Sequence, residues 1–173
     1  MLSEKMKDAL NEQINAELWS AYLYLSMSMH YASTGYPGIA NWFKIQFQEE
    51  QAHAEIFMNY INQRGGTVVL KPIAEVPVAA WATPVEVFTA TLLHERKVTQ
   101  LINNLYALAE TEHDYATRDR LTWFVSEQVE EEETAQQLID KFKLVGNDGM
   151  GLYMLDTELA GRTYTAPSIL TKA

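Results

Sequence analysis

The sequence predicts an all-α fold, a four-helix bundle with one long crossover and a short fifth helix near the C-terminus. Three observations carry this. Four long stretches repeat apolar residues at helical spacing. A stretch of some eighteen residues between the second and third has no such period and holds two prolines. Each of the four helical stretches also sets a glutamate in the middle of its apolar stripe.

Composition narrows the class. At 173 residues, one domain is expected over residues 1–162, followed by a tail at 163–173. Nearly half the residues are apolar and proline is scarce, which fits a folded chain rather than a disordered one. The formal net charge of −10 argues against nucleic acid as a partner and favours cations. The absence of cysteine excludes disulfides, thiolate metal sites and cysteine nucleophiles together. No apolar run approaches the ~18 residues of a membrane span, and an N-terminus with Glu4 and Asp8 is unlike a signal peptide. The expected location is the cytoplasm, away from any membrane.

The first helix is expected over 3–33, with Ser3 as its N-cap and a break at Ser33-Thr34-Gly35. Its stripe reads Met6, Leu10, Ile14, Leu18, Ala21, Leu25 and Met29. The second spans 37–64, with Pro37 in the first turn and Gly65-Gly66 closing it. The short link makes these two antiparallel. The crossover, 65–82, can reach roughly 60 Å when extended, against ~40 Å for the second helix. It can therefore cross the whole bundle and make the second and third helices parallel. Its Val68, Val69, Leu70, Ile73 and Trp81 predict that it lies against the bundle.

The third helix, 83–112, opens on the capping box Thr83-Pro84-Val85-Glu86 and carries Phe88, Leu92, Val98, Ile102 and Leu105. The fourth, 114–145, starts at Asp114 and carries Leu121, Phe124, Leu138 and Phe142. A fifth, 150–161, presents Leu152, Leu155 and Leu159, and is short enough to need a surface to dock on. The tail, with Pro167 and no period, is expected to be extended or disordered.

The glutamates decide the chemistry. Glu17 lies seven residues from both Leu10 and Tyr24, Glu50 from Phe43 and Phe57, Glu95 from Phe88 and Ile102, and Glu131 from Phe124 and Leu138. Seven residues return a helix to nearly the same face, about 20° off. One such acid is ordinarily a boundary residue whose head reaches water. Four in one core repel each other and take up protons unless cations neutralise them. His53 lies one turn from Glu50 and adds a nitrogen ligand. A histidine with several glutamates suits iron or manganese. Di-iron bundles combine two lone glutamates with two Glu-x-x-His pairs. Here Thr134 stands where the second histidine would be, so the second metal position is expected to be all-oxygen and more exchangeable.

Glu49, Glu127 and Glu130 flank the stripe and suggest a third, more exposed cation position, while Glu132 and Glu133 read as a solvated face. Tyr24 shares the Glu17 face, placed either to serve a ligand or an electron transfer, or to fill the core. Trp123, beside Phe124, is ambiguous in the same way. His30, His94 and His113 have no companion ligands and read as structural or surface residues.

The chain resembles a prokaryotic non-haem ferritin over nearly its whole length. The resemblance rests on Asn11-Glu12-Gln13, Glu17 with Tyr24, Glu49-Glu50-x-x-His53, Glu95, Trp123, Glu127-Gln128-x-Glu130-Glu131 and Gly151-Leu152-Tyr153. It implies a ferritin-like four-helix bundle in which Glu17, Glu50 and His53 hold a first iron and Glu50 bridges. Glu95 and Glu131 would hold the second, with Gln128 nearby. Glu49, Glu127, Glu130 and Glu131 would make a third iron site. The implied activity is a ferroxidase that oxidises Fe(II) with dioxygen or peroxide. The Fe(III) product would be stored as mineral inside a hollow homo-oligomer of twenty-four subunits. Thr134 and Gln51 depart from the haem-bearing relatives, so no haem is expected. The missing cysteines exclude a rubredoxin-type iron, and the fifth helix separates the chain from miniferritins. Two other readings of the same residues are an oxidase acting on an organic substrate and a metal-buffering bundle with an inert site. A hollow assembly would favour storage over the first, and little stability lost without metal together with no ferric intermediate on oxidation would favour the second.

Overall fold

The computed structural model describes residues 1–77 and 81–171. The expected crossover residues 78–80 and tail residues 172–173 lie outside the described residues. The helices are α1 (Glu4–Ser33), α2 (Pro37–Gln63), α3 (Pro84–Thr111), α4 (Tyr115–Val145), α5 (Gly149–Ala160) and a single turn, α6 (Ser168–Thr171).

Their ends follow from local chemistry. Ser3 Oγ accepts from the Met6 amide at 3.0 Å, Thr83 Oγ1 from Glu86 at 3.2 Å, and Asp114 Oδ1 from Thr117 at 3.1 Å. Each satisfies an amide that the first helical turn leaves without a partner. Helix α2 has no such cap of its own, because Tyr36 precedes it. Its cap comes instead from α5: Asp156 Oδ1 accepts from the Ile39 amide at 2.8 Å. Gly38 makes this approach possible, since a Cβ there would sit 1.6 Å from the Asp156 carbonyl oxygen. At the other end of α2, Gly65 takes a left-handed φ of 73° and Arg64 pairs with Asp114 at 3.1 Å, tying α2 to the start of α4.

Helices α1 and α2 form one antiparallel hairpin and α3 and α4 a second, and the crossover joins them. Its backbone is fastened to α1 by side chains one turn apart. Asn11 donates to Thr67 O and accepts from the Val69 amide, Asn15 donates to Pro72 O, and Trp19 Nε1 donates to Glu75 O. His30 contacts Trp81 O further along. The crossover therefore runs parallel to α1, and α2 and α3 are parallel, as its length requires. Val76 is buried, whereas Val69, Leu70 and Ile73 face outward.

The α1 stripe and the tail differ from the sequence expectation. Met29 is 55 % exposed, and the buried line of α1 instead continues through Tyr24, Met27, Ser28 and Tyr31. Steps of four residues drift off a 3.6-residue helix, so a line drawn mostly in fours leaves the buried face. The tail is also more structured than expected: residues 168–171 turn helical, and Ile169 and Leu170 pack on the bundle.

The apolar interior falls into two clusters. One holds Tyr24, Tyr31, Phe43, Phe88 and Phe142, with Phe43 and Phe142 stacked on Phe88 at 5.2 and 5.4 Å. The other holds Met6, Leu10, Ile14, Phe57, Ile61 and Phe124, with Phe57 and Phe124 stacked at 4.2 Å. Along every long helix, the residue between the two clusters is one of the four glutamates.

Candidate metal centre

Glu17, Glu50, Glu95 and Glu131 are 1, 2, 0 and 8 % exposed, and His53 is 2 % exposed. They form a polar layer between two apolar clusters, where bare charge is strongly disfavoured. Glu17, Glu50 and His53 come together: one ligand atom from each lies within 4.8 Å of the others. Glu95 and Glu131 are outside that trio but close enough that each pushes against the charge of Glu50.

Glutamine side chains serve three of the four acids. Gln13 Nε2 donates to Glu17 Oε1 at 2.9 Å, Gln128 Nε2 to Glu95 Oε2 at 3.1 Å, and Gln46 Nε2 to Glu131 Oε2 at 2.9 Å. The Tyr24 hydroxyl donates to Glu95 Oε1. Glu50 receives no amide donor. Its neighbours are carboxyls and the His53 ring, whose Nδ1 is 3.4 Å from Oε2. Three buried atoms of the trio, Glu17 Oε2, Glu50 Oε2 and His53 Nε2, have no hydrogen-bond partner among the described residues.

The protonation state follows. Burial, then the charge of Glu50, pushes the Glu17 carboxyl well above the usual range. Burial, then Glu95 and Glu131, does the same to Glu50. Glu95 is raised by burial, against the donors Tyr24 and Gln128. Glu131 is raised by burial and Glu95 to about 8. Without metal this layer holds protons that a cation would replace.

Tyr24 is fully buried, stacked on Phe43 at 5.9 Å, and burial pushes its hydroxyl well above its ordinary value. Trp123 is half-buried with its ring 5.6 Å from His53, edge to face. His94 bonds Ser20 Oγ at 2.7 Å and is lowered to about 4 by burial, which fits its structural reading. His113 is exposed, and His30 holds the crossover.

The flanking acids are less closely gathered. Glu49 and Glu127 are half-buried and Glu130 is exposed, and these three do not form a close ligand group. Burial raises both Glu49 and Glu127, but Glu49 is held by Arg162 Nη2 at 2.7 Å. Glu132 departs from a solvated face, accepting from Thr99 Oγ1 at 2.6 Å. Sequence reasoning missed two groups here, Gln46 and Arg162. Gln46 carried a signal, since it lies one turn before Glu50 on the same face. Arg162 carried none, because the fold alone brings it to Glu49.

Residues 7–145 match the family described as Ferritin-like domain. The chain belongs to that family. Among its ferritin relatives, a bacterial non-heme ferritin of Bacteroides fragilis (strain 638R) is 47 % identical over 162 residues, covering 94 % of this chain and all of the relative. One from Staphylococcus epidermidis (strain ATCC 35984 and equivalents) is 40 % identical over 164 residues, covering 95 % and 98 %. Among solved ferritins, an engineered closed form of the Archaeoglobus fulgidus ferritin superposes with a TM-score of 0.93 at 44 % identity, covering 95 % of this chain and all of that one. The open-pore ferritin of the same archaeon superposes at 0.92. No described helix of this ferritin-like chain is long and apolar enough to cross a membrane.

Proposed function

We propose that the chain is an iron-storage ferritin subunit whose buried carboxylate layer oxidises Fe(II) to Fe(III), with dioxygen or peroxide taking the electrons. One observation supports this most: Glu17, Glu50 and His53 bring ligand atoms within 4.8 Å of one another in the buried layer, and each keeps a buried polar atom with no hydrogen-bond partner among the described residues. Buried polar atoms are ordinarily satisfied, and unsatisfied ones on three clustered ligand side chains suit a divalent cation. With a nitrogen and several carboxylate oxygens, that cation is iron in preference to zinc in a thiolate-type site.

In this reading Glu17, Glu50 and His53 hold one Fe(II), and Glu95 and Glu131 hold the other. Glu50 bridges them, as its lack of an amide donor suits. Gln13, Gln46 and Gln128 orient the other acids, and Tyr24 fixes Glu95. Carboxylate charge favours Fe(III) over Fe(II), which draws the oxidation forward. Thr134 in place of a second histidine leaves the Glu95–Glu131 position weaker, so iron passes through it more readily. Glu49, Glu127, Glu130 and Glu131 line a third, outer cation position.

Storage requires an assembly. Tyr22 and Met29 on α1, and Val69, Leu70 and Ile73 on the crossover, leave apolar surface for neighbouring copies. A homo-oligomeric shell, of twenty-four subunits in this reading, provides the cavity for mineral.

The test is aerobic Fe(II) oxidation by the parent and by Glu50→Ala, on protein whose assembly mass is measured. A hollow shell whose oxidation slows by an order of magnitude or more in Glu50→Ala is the expected result. Equal rates would remove the centre from the reaction, and a small dimer would remove the storage role.

A further inference from the structure

The tail beyond α5 has a definite path. Asn41 Nδ2 donates to the Leu159 and Arg162 carbonyls at 3.2 and 3.0 Å, fixing the turn that leaves α5. The Arg162 guanidinium then lies over the Trp42 ring, 4.7 Å from its centroid. Its Nη1 donates to Trp42 O at 3.2 Å and its Nη2 to Glu49 Oε2 at 2.7 Å. Tyr164 follows, its hydroxyl raised by burial and then by the charges of Glu49 and Glu55. Ile169 and Leu170 end the path against Ile56 and Tyr60 of α2. The strand of tail thus lies along α2, beginning at the acid beside Glu50.

We propose that Arg162 is the built-in cation of the outer acidic position, and that a metal ion binding Glu49 there must displace it and the start of the tail. This rests on the reading that Glu49, Glu127 and Glu130 line a third cation position. The guanidinium is pre-placed by stacking on Trp42 and by two hydrogen bonds, so little freedom is lost in holding Glu49. A charge-assisted pair that is three-quarters shielded from water resists exchange more than a surface pair does. His53 also lowers the Glu49 carboxyl, Glu49 in turn pushes against Glu50, Glu127 and Glu131, and the charges acting on Glu127 come from His53, Glu130 and Glu49. Arg162 is therefore the cation that sets how readily this position accepts metal, and it acts as a specificity-determining residue of the outer site. Two consequences follow by linkage. Metal at Glu49 weakens the hold on the tail, and loss of the Arg162 charge strengthens metal binding by the same coupling.

The test is calorimetric titration of the assembled, metal-free protein with Zn(II), which has no redox chemistry, in the parent, Arg162→Gln and Arg162→Lys. Glutamine keeps a hydrogen-bonding group without the charge, and lysine keeps the charge. The expected result is two Zn(II) per subunit of unchanged affinity in all three. A third would bind about tenfold tighter in Arg162→Gln and about as in the parent in Arg162→Lys. Adding Glu49→Gln to Arg162→Gln should abolish the third. A third Zn(II) of equal or weaker affinity in Arg162→Gln overturns the role of Arg162 while leaving the third position standing. Only two Zn(II) in every variant overturns the third position itself, and this proposal with it.

Discussion

Gln46 on α2 donates to Glu131 on α4 at 2.9 Å, inside the polar layer that divides the core. The pair joins the two hairpins through a side chain that is completely buried. Replacing Gln46 with Leu leaves Glu131 with one fewer donor and drives its carboxyl higher still. Metal-free Gln46→Leu should lose about 1–2 kcal/mol of stability by urea unfolding, and Zn(II) added to it should bind more weakly at the Glu95–Glu131 position. Unchanged affinity would show that Gln46 does not tune metal binding at Glu131.

The metal-free protein should become less stable as pH rises. Glu17, Glu50, Glu95 and Glu131 all have folded-state values above those of the unfolded chain, with Glu131 at about 8. For raised carboxyls, the stabilisation is complete below about pH 4.5 and is lost as pH climbs through the folded value. The thermal midpoint should therefore fall between about pH 5 and about pH 9. Loading with Zn(II) should flatten or reverse that slope, because the cation takes the place of the protons. A metal-free midpoint that rises steadily over this interval would contradict the buried layer.

Metal uptake should release protons for the same reason. At about pH 6.5, where raised carboxyls are protonated, a pH-stat titration should record at least one proton freed per Zn(II) bound. No release would mean that the acids are already ionised.

Asp156→Ala removes the only side-chain cap that α2 has among the described residues, and that cap comes from another helix. It should cost about 1–2 kcal/mol, at the upper end for caps because Asp156 is buried. Gly38→Ala should be worse, since its Cβ would collide with the Asp156 backbone rather than with a movable side chain. Thermal unfolding of both ranks them. If Gly38→Ala were the milder of the two, α5 would be less firmly seated than its contacts indicate.

The helices and the four acids were readable from sequence because both depend on spacing along one segment. Glu50 sits seven residues from Phe43 and from Phe57 whatever the other helices do. Features that depend on two distant segments were not readable. Nothing local to Arg162 points to Glu49, 113 residues earlier. Nothing local to Tyr36-Pro37 points to Asp156 as the cap of α2. Met29 failed for a different reason, since a stripe followed in steps of four leaves the true face after several turns. The tail failed because one helical turn has no period to detect, and Ile169 and Leu170 are held there by the bundle.

The crossover fastened along α1 has a consequence for how the molecule comes together. Each hairpin is built from segments close in sequence, whereas joining them requires the chain to span the bundle first. Glu17, Glu50 and His53 belong to the first hairpin, and Glu95, Gln128 and Glu131 to the second. The seam between them closes only once the crossover has spanned the bundle, and it is also where four buried carboxyl groups meet. A divalent cation arriving there would act as a fastener between two halves already shaped, so the subunit should close more slowly when folded without a divalent cation than with one.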